Sequence, residues 1–124
     1  MLTPRNSKVL VLGASPNPSR YANRTIKQLL YHGYDVYGIA KKEFHIEKVT
    51  IFSKPQKIDN VHTITIYLSP VNQAEYFDYI KQIKPQRVIF NPGTENVKLE
   101  QELQKEEIPY IRACTLVLLS TGQF

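Results

Sequence analysis

The sequence predicts a three-layer α/β protein built on a doubly wound parallel sheet, in a single domain. Three observations predict it. Short aliphatic and β-branched runs alternate with segments whose apolar residues recur at helical spacing. The first run, Lys8-Val9-Leu10-Val11-Leu12, is almost wholly apolar, as a strand covered on both faces must be. A chain of 124 residues has room for one core, which at this size buries about two-thirds of the unfolded surface.

The elements follow in order. Gly13 stops the first strand, and the turn-rich Ala14-Ser15-Pro16-Asn17-Pro18-Ser19 leads into a helix beginning near Ser19 or Arg20. Ala22, Ile26, Leu29 and Leu30 form its buried stripe, and Gly33 ends it. Residues 35–39 form a second strand. Residues 40–60 are the least regular, with a short strand at 49–52, a polar loop holding Pro55 and no helix. A β-branched strand spans 63–68. Ser69 as N-cap and Pro70 at the first helical position start a helix with the stripe Val71, Ala74, Phe77, Ile80 and Ile83, closed by Pro85. Residues 87–90 form a strand. Asn91-Pro92-Gly93-Thr94 turns into a helix through about Glu107, with Leu99 and Leu103 facing inward. A last strand covers 109–112, and the tail 115–124 reads equally as helix or strand. Such alternation implies parallel strands with right-handed crossovers, in the Rossmann-like order 3-2-1-4-5 with one further strand beside them.

Composition narrows the class. With 42% hydrophobic and 22% charged residues, the chain is neither disordered nor fibrous. The single cysteine, Cys114, excludes an internal disulfide and a multi-cysteine zinc site and suits a reducing compartment. No signal peptide is read, and the longest apolar run, 116–119, is too short to cross a bilayer, so the expected location is cytoplasmic. Residues 1–62 hold ten Lys/Arg against four Asp/Glu (10 − 4 = +6), whereas 63–124 hold six against seven (6 − 7 = −1). The basic half is where an anionic partner is expected. No helix carries regularly spaced cations and no RNA-binding aromatic signature is present, so nucleic acid is not the expected partner.

In an open parallel sheet, ligands bind beyond the carboxyl ends of the strands, where strand order reverses. The loop Gly13, Ala14, Ser15, Pro16, Asn17, Pro18, Ser19, Arg20 joins the first strand to the first helix there. Helix-start amides and the positive dipole end favour phosphate, Gly13 allows close approach, Ser15 and Asn17 add hydrogen bonds and Arg20 adds charge. Tyr21 fits either stacking on an adenine or covering the helix start. The loop has one glycine, so the G-x-G-x-x-G fingerprint is absent. Where an NAD site presents an acid after strand 2, this chain has Lys41 and Lys42. Two ammonium groups suit a phosphorylated ribose, as in coenzyme A or NADP.

These residues, with Leu29-Leu30 and Gly33-Tyr34-Asp35-Val36-Tyr37, resemble the small stand-alone CoA-binding domain proteins, which are similar to the N-terminal domain of the succinyl-CoA synthetase alpha subunit. The resemblance continues through Ser69-Pro70, Asn91-Pro92-Gly93-Thr94-Glu95-Asn96 and Arg112-Ala113-Cys114, nearly the whole chain. It implies a Rossmann-like fold that binds CoA or a related nucleotide. The loop from Gly13 to Arg20 would hold the pyrophosphate, the end of strand 2 would lie near the adenosine, and Ser69, Pro70, Asn91 and Gly93 would border the cleft. The chain departs from the family pattern in having Ala40-Lys41-Lys42 where Asn-Pro is frequent, Ile89 and Asn91 where tryptophan and glutamine are frequent, and a shortened middle segment.

No triad order, paired catalytic carboxylates or metal-ligand spacing is present, and His32, His45 and His62 lie apart. The leading expectation is therefore a non-catalytic CoA-binding module. A small NADP-dependent enzyme with a dimer-formed active site and an apo scaffold for a partner protein are the alternatives. Leu116, Leu118 and Leu119 fit either a homodimer interface or the core.

Overall fold

The computed structural model describes residues 3–124. Seven strands form one sheet: β1 (Lys8–Leu12), β2 (Asp35–Ile39), β3 (Phe44–Ile46), β4 (Val49–Phe52), β5 (Val61–Ile66), β6 (Arg87–Phe90) and β7 (Tyr110–Arg112). Their order is β3-β4-β2-β1-β5-β6-β7. All pairs are parallel except β3 with β4. Six of these strands reproduce the order expected from the sequence. The antiparallel edge strand β3 was not expected; it folds back on β4 through Glu47, which takes a positive φ of 52°.

Side-chain alternation on β1 divides the core in two. Leu10 and Leu12 face one layer, where they pack with Ile64, Ile66, Val88 and Phe90 against Ile80, Leu99 and Leu103. These last three belong to α3 (Phe77–Ile83) and α4 (Val97–Lys105). Val9 and Val11 face the other layer with Ile26 and Leu29 of α1 (Tyr21–Tyr31) and Leu119 of α5 (Thr115–Ser120). The chain is thus an α/β Rossmann-like fold of three layers. The tail is helical, and Leu119 joins the core while Leu118 packs against it. Among the described residues no helix is long and apolar enough to cross a membrane, and no cluster of three metal-ligating side chains forms.

The helix expected from Ser69 to Pro85 is broken. A short α2 (Pro70–Gln73) runs into a 3-10 turn (Ala74–Tyr76) before α3. Val71 is 84% exposed and Ala74 is exposed, so neither joins the stripe; Gln73 is fully buried instead. The buried amide of Gln73 has backbone partners that an alanine or valine could not satisfy, and the 3-10 turn rotates Ile80 into the core. Pro70 opens α2 as expected, whereas the Ser69 hydroxyl caps no amide and accepts from Asn72 Nδ2 at 2.9 Å. Gly33 ends α1 at φ 87°, with Gly33 N donating to Leu30 O and Tyr34 N to Leu29 O, a Schellman ending.

Gly13 has φ 100°, and a Cβ there would lie 3.0 Å from Leu68 N and from the Tyr67 carbonyl carbon. Gly93 has φ 89° with nothing within 4 Å. Gly13→Ala is therefore expected to lower stability by about 3 kcal/mol and Gly93→Ala by about 1 kcal/mol. Urea denaturation checks this; equal losses would show that backbone strain alone, not close approach, fixes the glycine at position 13.

Candidate functional site

Strand order reverses between β1 and β5, whose connections leave toward opposite edges of the sheet. The carboxyl ends of β1, β5 and β6 open there into a cleft of about 450 Å³. Its near wall is Gly13, Ser15, Arg20 and Tyr21, with Ala22 behind them. Its far wall is Ser69, Pro92, Gly93 and Thr94, and Tyr67 lies between.

The near wall is shaped by where its amides go. Gly13 N and Ala14 N both donate to Ile39 O, at 2.9 and 3.0 Å, tying the loop to the end of β2. Asn17 folds the loop on itself: its Oδ1 accepts from Ser19 N and Oγ at 3.0 and 2.8 Å, and its carbonyl accepts from Arg20 N at 3.0 Å. Asn23 Nδ2 donates to Ser15 O at 2.9 Å, bracing the loop from the helix. Arg20, the N-cap of α1, offers no side-chain acceptor. Among the described residues, the amides of Ser15, Tyr21, Ala22 and Asn23 meet no acceptor. A helix start in this state presents free donors and the positive end of its dipole. The buried Asn23 Oδ1 also lacks a partner.

The floor is a hydrogen-bonded polar cluster. Asn91 Nδ2 donates to Thr65 Oγ1 and Ile66 O at 2.7 and 2.9 Å, while its Oδ1 accepts from Thr115 N at 2.9 Å. The Tyr67 hydroxyl pairs with Thr25 Oγ1. Burial pushes the Tyr67 phenol up to about 12, although the Thr25 bond pulls the other way. The far wall is held by Gln73, whose Nε2 donates to Leu68 O at 2.9 Å and Thr94 O at 2.7 Å, while its Oε1 accepts from Asn96 Nδ2 at 3.0 Å. Glu95 Oε1 accepts from Gly93 N at 3.0 Å.

Of the residues singled out from sequence, Gly13, Ser15, Arg20, Tyr21, Ser69 and Gly93 line one cleft. Ala14 is buried behind the loop, Asn17 is exposed on its outer side, Pro70 is exposed at the start of α2 and Asn91 is buried beneath the floor. Lys41 and Lys42 are exposed beyond the end of β2, outside the lining. Pro92 and Thr94, within the turn expected at the ligand edge, line the cleft as well, whereas sequence reasoning passed over Tyr67 and Ala22 as lining and Gln73 as a brace. Tyr67 was findable, since it directly follows β5 at the switch point; Gln73 read as the polar side of a helix. Elsewhere, His32 Nδ1 bonds Gln28 O at the end of α1, His45 Nε2 bonds Thr50 Oγ1, and Cys114 is half-buried before α5. Larger depressions of about 610 and 660 Å³ lie over β2 and β4 and beside the 55–60 loop, where no helix start opens.

Fold and cleft together define a Rossmann-like protein with an anion-ready helix start at its switch point. The sequence matches the CoA binding domain family over residues 7–120, and the chain belongs to that family. It is similar to a crystal structure of an uncharacterized protein (TM-score 0.93, 40% identity, covering 98% of this chain and 100% of the other). It is similar also to a hypothetical protein from Pyrococcus horikoshii OT3 (TM-score 0.85, 24% identity, 94% and 84% covered). The dinucleotide-forming acetyl-coenzyme A synthetase 1 of Ca. Korarchaeum cryptofilum, solved with phosphate and ADP, shares the fold over 88% of this chain and 26% of its own (TM-score 0.70, 18% identity). No functionally curated protein matches the chain.

The Tyr67 phenol gives a pH signature. Its folded-state value lies above the ordinary phenol value of 10.0, so its contribution to stability is complete below pH 10 and lost as pH rises toward about 12. Tyr67→Phe is expected to flatten the fall in stability between pH 10 and about 12, read by denaturation at a series of pH values; an unchanged slope would place the titration elsewhere.

Proposed function

We propose that the cleft binds coenzyme A or a CoA ester and performs no chemistry of its own. The pyrophosphate rests on the amides of Ser15, Tyr21, Ala22 and Asn23, with Arg20 supplying positive charge. The observation that carries this reading is the uncapped start of α1, which leaves those donors unpaired at the edge of the cleft. Membership of the CoA binding domain family supports the ligand class. Gly13 and Ala14 shape the loop through Ile39, and Asn17 holds its fold. Ser69, Pro70 and Gly93 border the pantetheine side, and Asn91 holds the floor beneath it. Lys41 and Lys42, beyond β2, take the ribose phosphate, and Tyr21 stacks near the base. The non-catalytic part of the reading rests on the lining: its ionisable groups are Arg20, Tyr21 and Tyr67, and Tyr67 is held protonated. No carboxylate, imidazole or thiol among the described residues lines the cleft to act as a general base.

Thermal unfolding tests the ligand. CoA at 100 times its Kd is expected to stabilise by about 2.7 kcal/mol, raising the midpoint by roughly ten degrees. No shift at millimolar CoA or acetyl-CoA would overturn the reading, and a larger shift with NADP would replace the ligand. A second measurement tests the lysines. Lys41→Glu/Lys42→Glu is expected to weaken CoA about thirtyfold and to spare dephospho-CoA, since each of the two lost phosphate contacts is worth about 1 kcal/mol. Equal losses for both ligands would remove the lysines from the site.

A further inference from the structure

The opposite end of the sheet carries a second feature, at the amino ends of β5, β6 and β7. Lys8 pairs with Val61, but Val9 pairs with Thr63, so His62 is an extra residue bulged out of the β1–β5 ladder. Bulges are rare between parallel strands and commonly re-aim a side chain. This one sets His62 half-buried beside Arg87, with Nδ1 2.8 Å from Thr63 Oγ1.

Arg87 is half-buried as well. Its Nε and one Nη donate to Thr63 Oγ1 at 3.2 and 3.1 Å, the same Nη donates to Thr3 Oγ1 at 3.1 Å, and the Phe124 ring lies 4.7 Å from Cζ. The other Nη meets no acceptor, and no Asp or Glu carboxylate lies within 4.0 Å, among the described residues. Arg112 shows the contrast: its guanidinium grips the buried Glu100 carboxylate through two bonds of 2.7 and 2.8 Å. A pocket of about 440 Å³ opens at Arg87 and His62, and Asn60 and Gln86 add amide groups to its wall. No carboxylate side chain lines it.

We propose that this pocket binds a small oxyanion, a carboxylate or phosphate group, between the Arg87 guanidinium and the His62 imidazole. A half-buried guanidinium held by two hydroxyls and an aromatic face lacks the countercharge that its desolvation calls for. An oxyanion supplies it, and a guanidinium recognises carboxylate and phosphate alike through its fork of donors. Burial and the neighbouring Arg87 charge both lower the His62 pKa from its ordinary value, so a bound anion would raise it again. Other ionisable groups nearby are already engaged. Lys8 Nζ donates to Asp59 O, Tyr34 donates its hydroxyl proton to Thr3 O, and the Tyr110 hydroxyl accepts from Gln104. The site lies at the far end of β5 from the cleft and does not depend on CoA binding there.

Histidine NMR on the full chain tests the site, with sodium phosphate and sodium acetate titrated separately at constant ionic strength in chloride. The expected result is a saturable shift of the His62 ring resonances and a rise in its titration midpoint, with His32 and His45 unmoved. Saturation by phosphate alone, by acetate alone or by both would support the site and identify the group it prefers. Arg87→Gln is expected to weaken binding at least tenfold. His62→Gln, which keeps the Arg87 anchor, is expected to weaken it less, followed through the backbone amides of Arg87 and Val88. Equal, non-saturating shifts at all three histidines, or binding unchanged in a folded Arg87→Gln protein, would overturn the proposal.

Discussion

The turn at Gly13 is the constraint on which the near wall of the cleft depends. Its positive φ points β1's continuation away from the sheet, and the missing side chain lets the loop lie against the backbone of residues 67–68. The same turn delivers two consecutive amides to the single carbonyl of Ile39. Three strands, β1, β2 and β5, are therefore locked together at the point where strand order reverses. Because the first amides of the loop are engaged, the free donors are displaced to Ser15 and the first turn of α1. The glycine acts by placing the donors; the donors belong to residues further along.

The far wall is built on a different principle. Buried amide side chains, not backbone turns, hold it. Asn91 satisfies both ends of its carboxamide within the protein, joining β5, β6 and the start of α5. Gln73 does the same between the turn after β5 and the turn after β6. A buried amide is costly unless all its partners are present, so such groups fix one arrangement of the loops they join. The cleft is consequently preformed on both sides, which reduces the ordering cost of binding.

Legibility in the sequence followed the range of the interactions. The order of β4, β2, β1, β5, β6 and β7 could be read because each strand is an apolar run between turn residues, and handedness rules do the rest. Gly13, Ser15, Arg20 and Tyr21 could be placed in the cleft because they surround a strand-to-helix junction, a local signal. The break after Gln73 could not be read. It exists because one glutamine reaches carbonyls at positions 68 and 94, and no period in the sequence records a contact of that span. The edge strand β3 was missed for a related reason: Phe44-His45-Ile46 is too short to show alternation, and only its pairing with β4 makes it a strand.

Charge gives the asymmetry of the sequence a structural meaning. The ion pairs among the described residues all fall in the second half: Lys81 and Lys105 with Glu102, and Arg112 with Glu100. Two of the acids there, Glu100 and Glu102, are thus engaged by cations from their own half. The cations of the first half, Arg20, Lys41 and Lys42 among them, have no carboxylate within 4.0 Å among the described residues. Exposed ion pairs contribute little to stability, so folding alone sets no strong demand that these charges be matched. A bound polyanion is different, because several cations along one edge act on it together and raise its local concentration at the cleft. On the proposed reading of the cleft, the unmatched charge around the end of β2 and the start of α1 is where an approaching polyanion would be drawn.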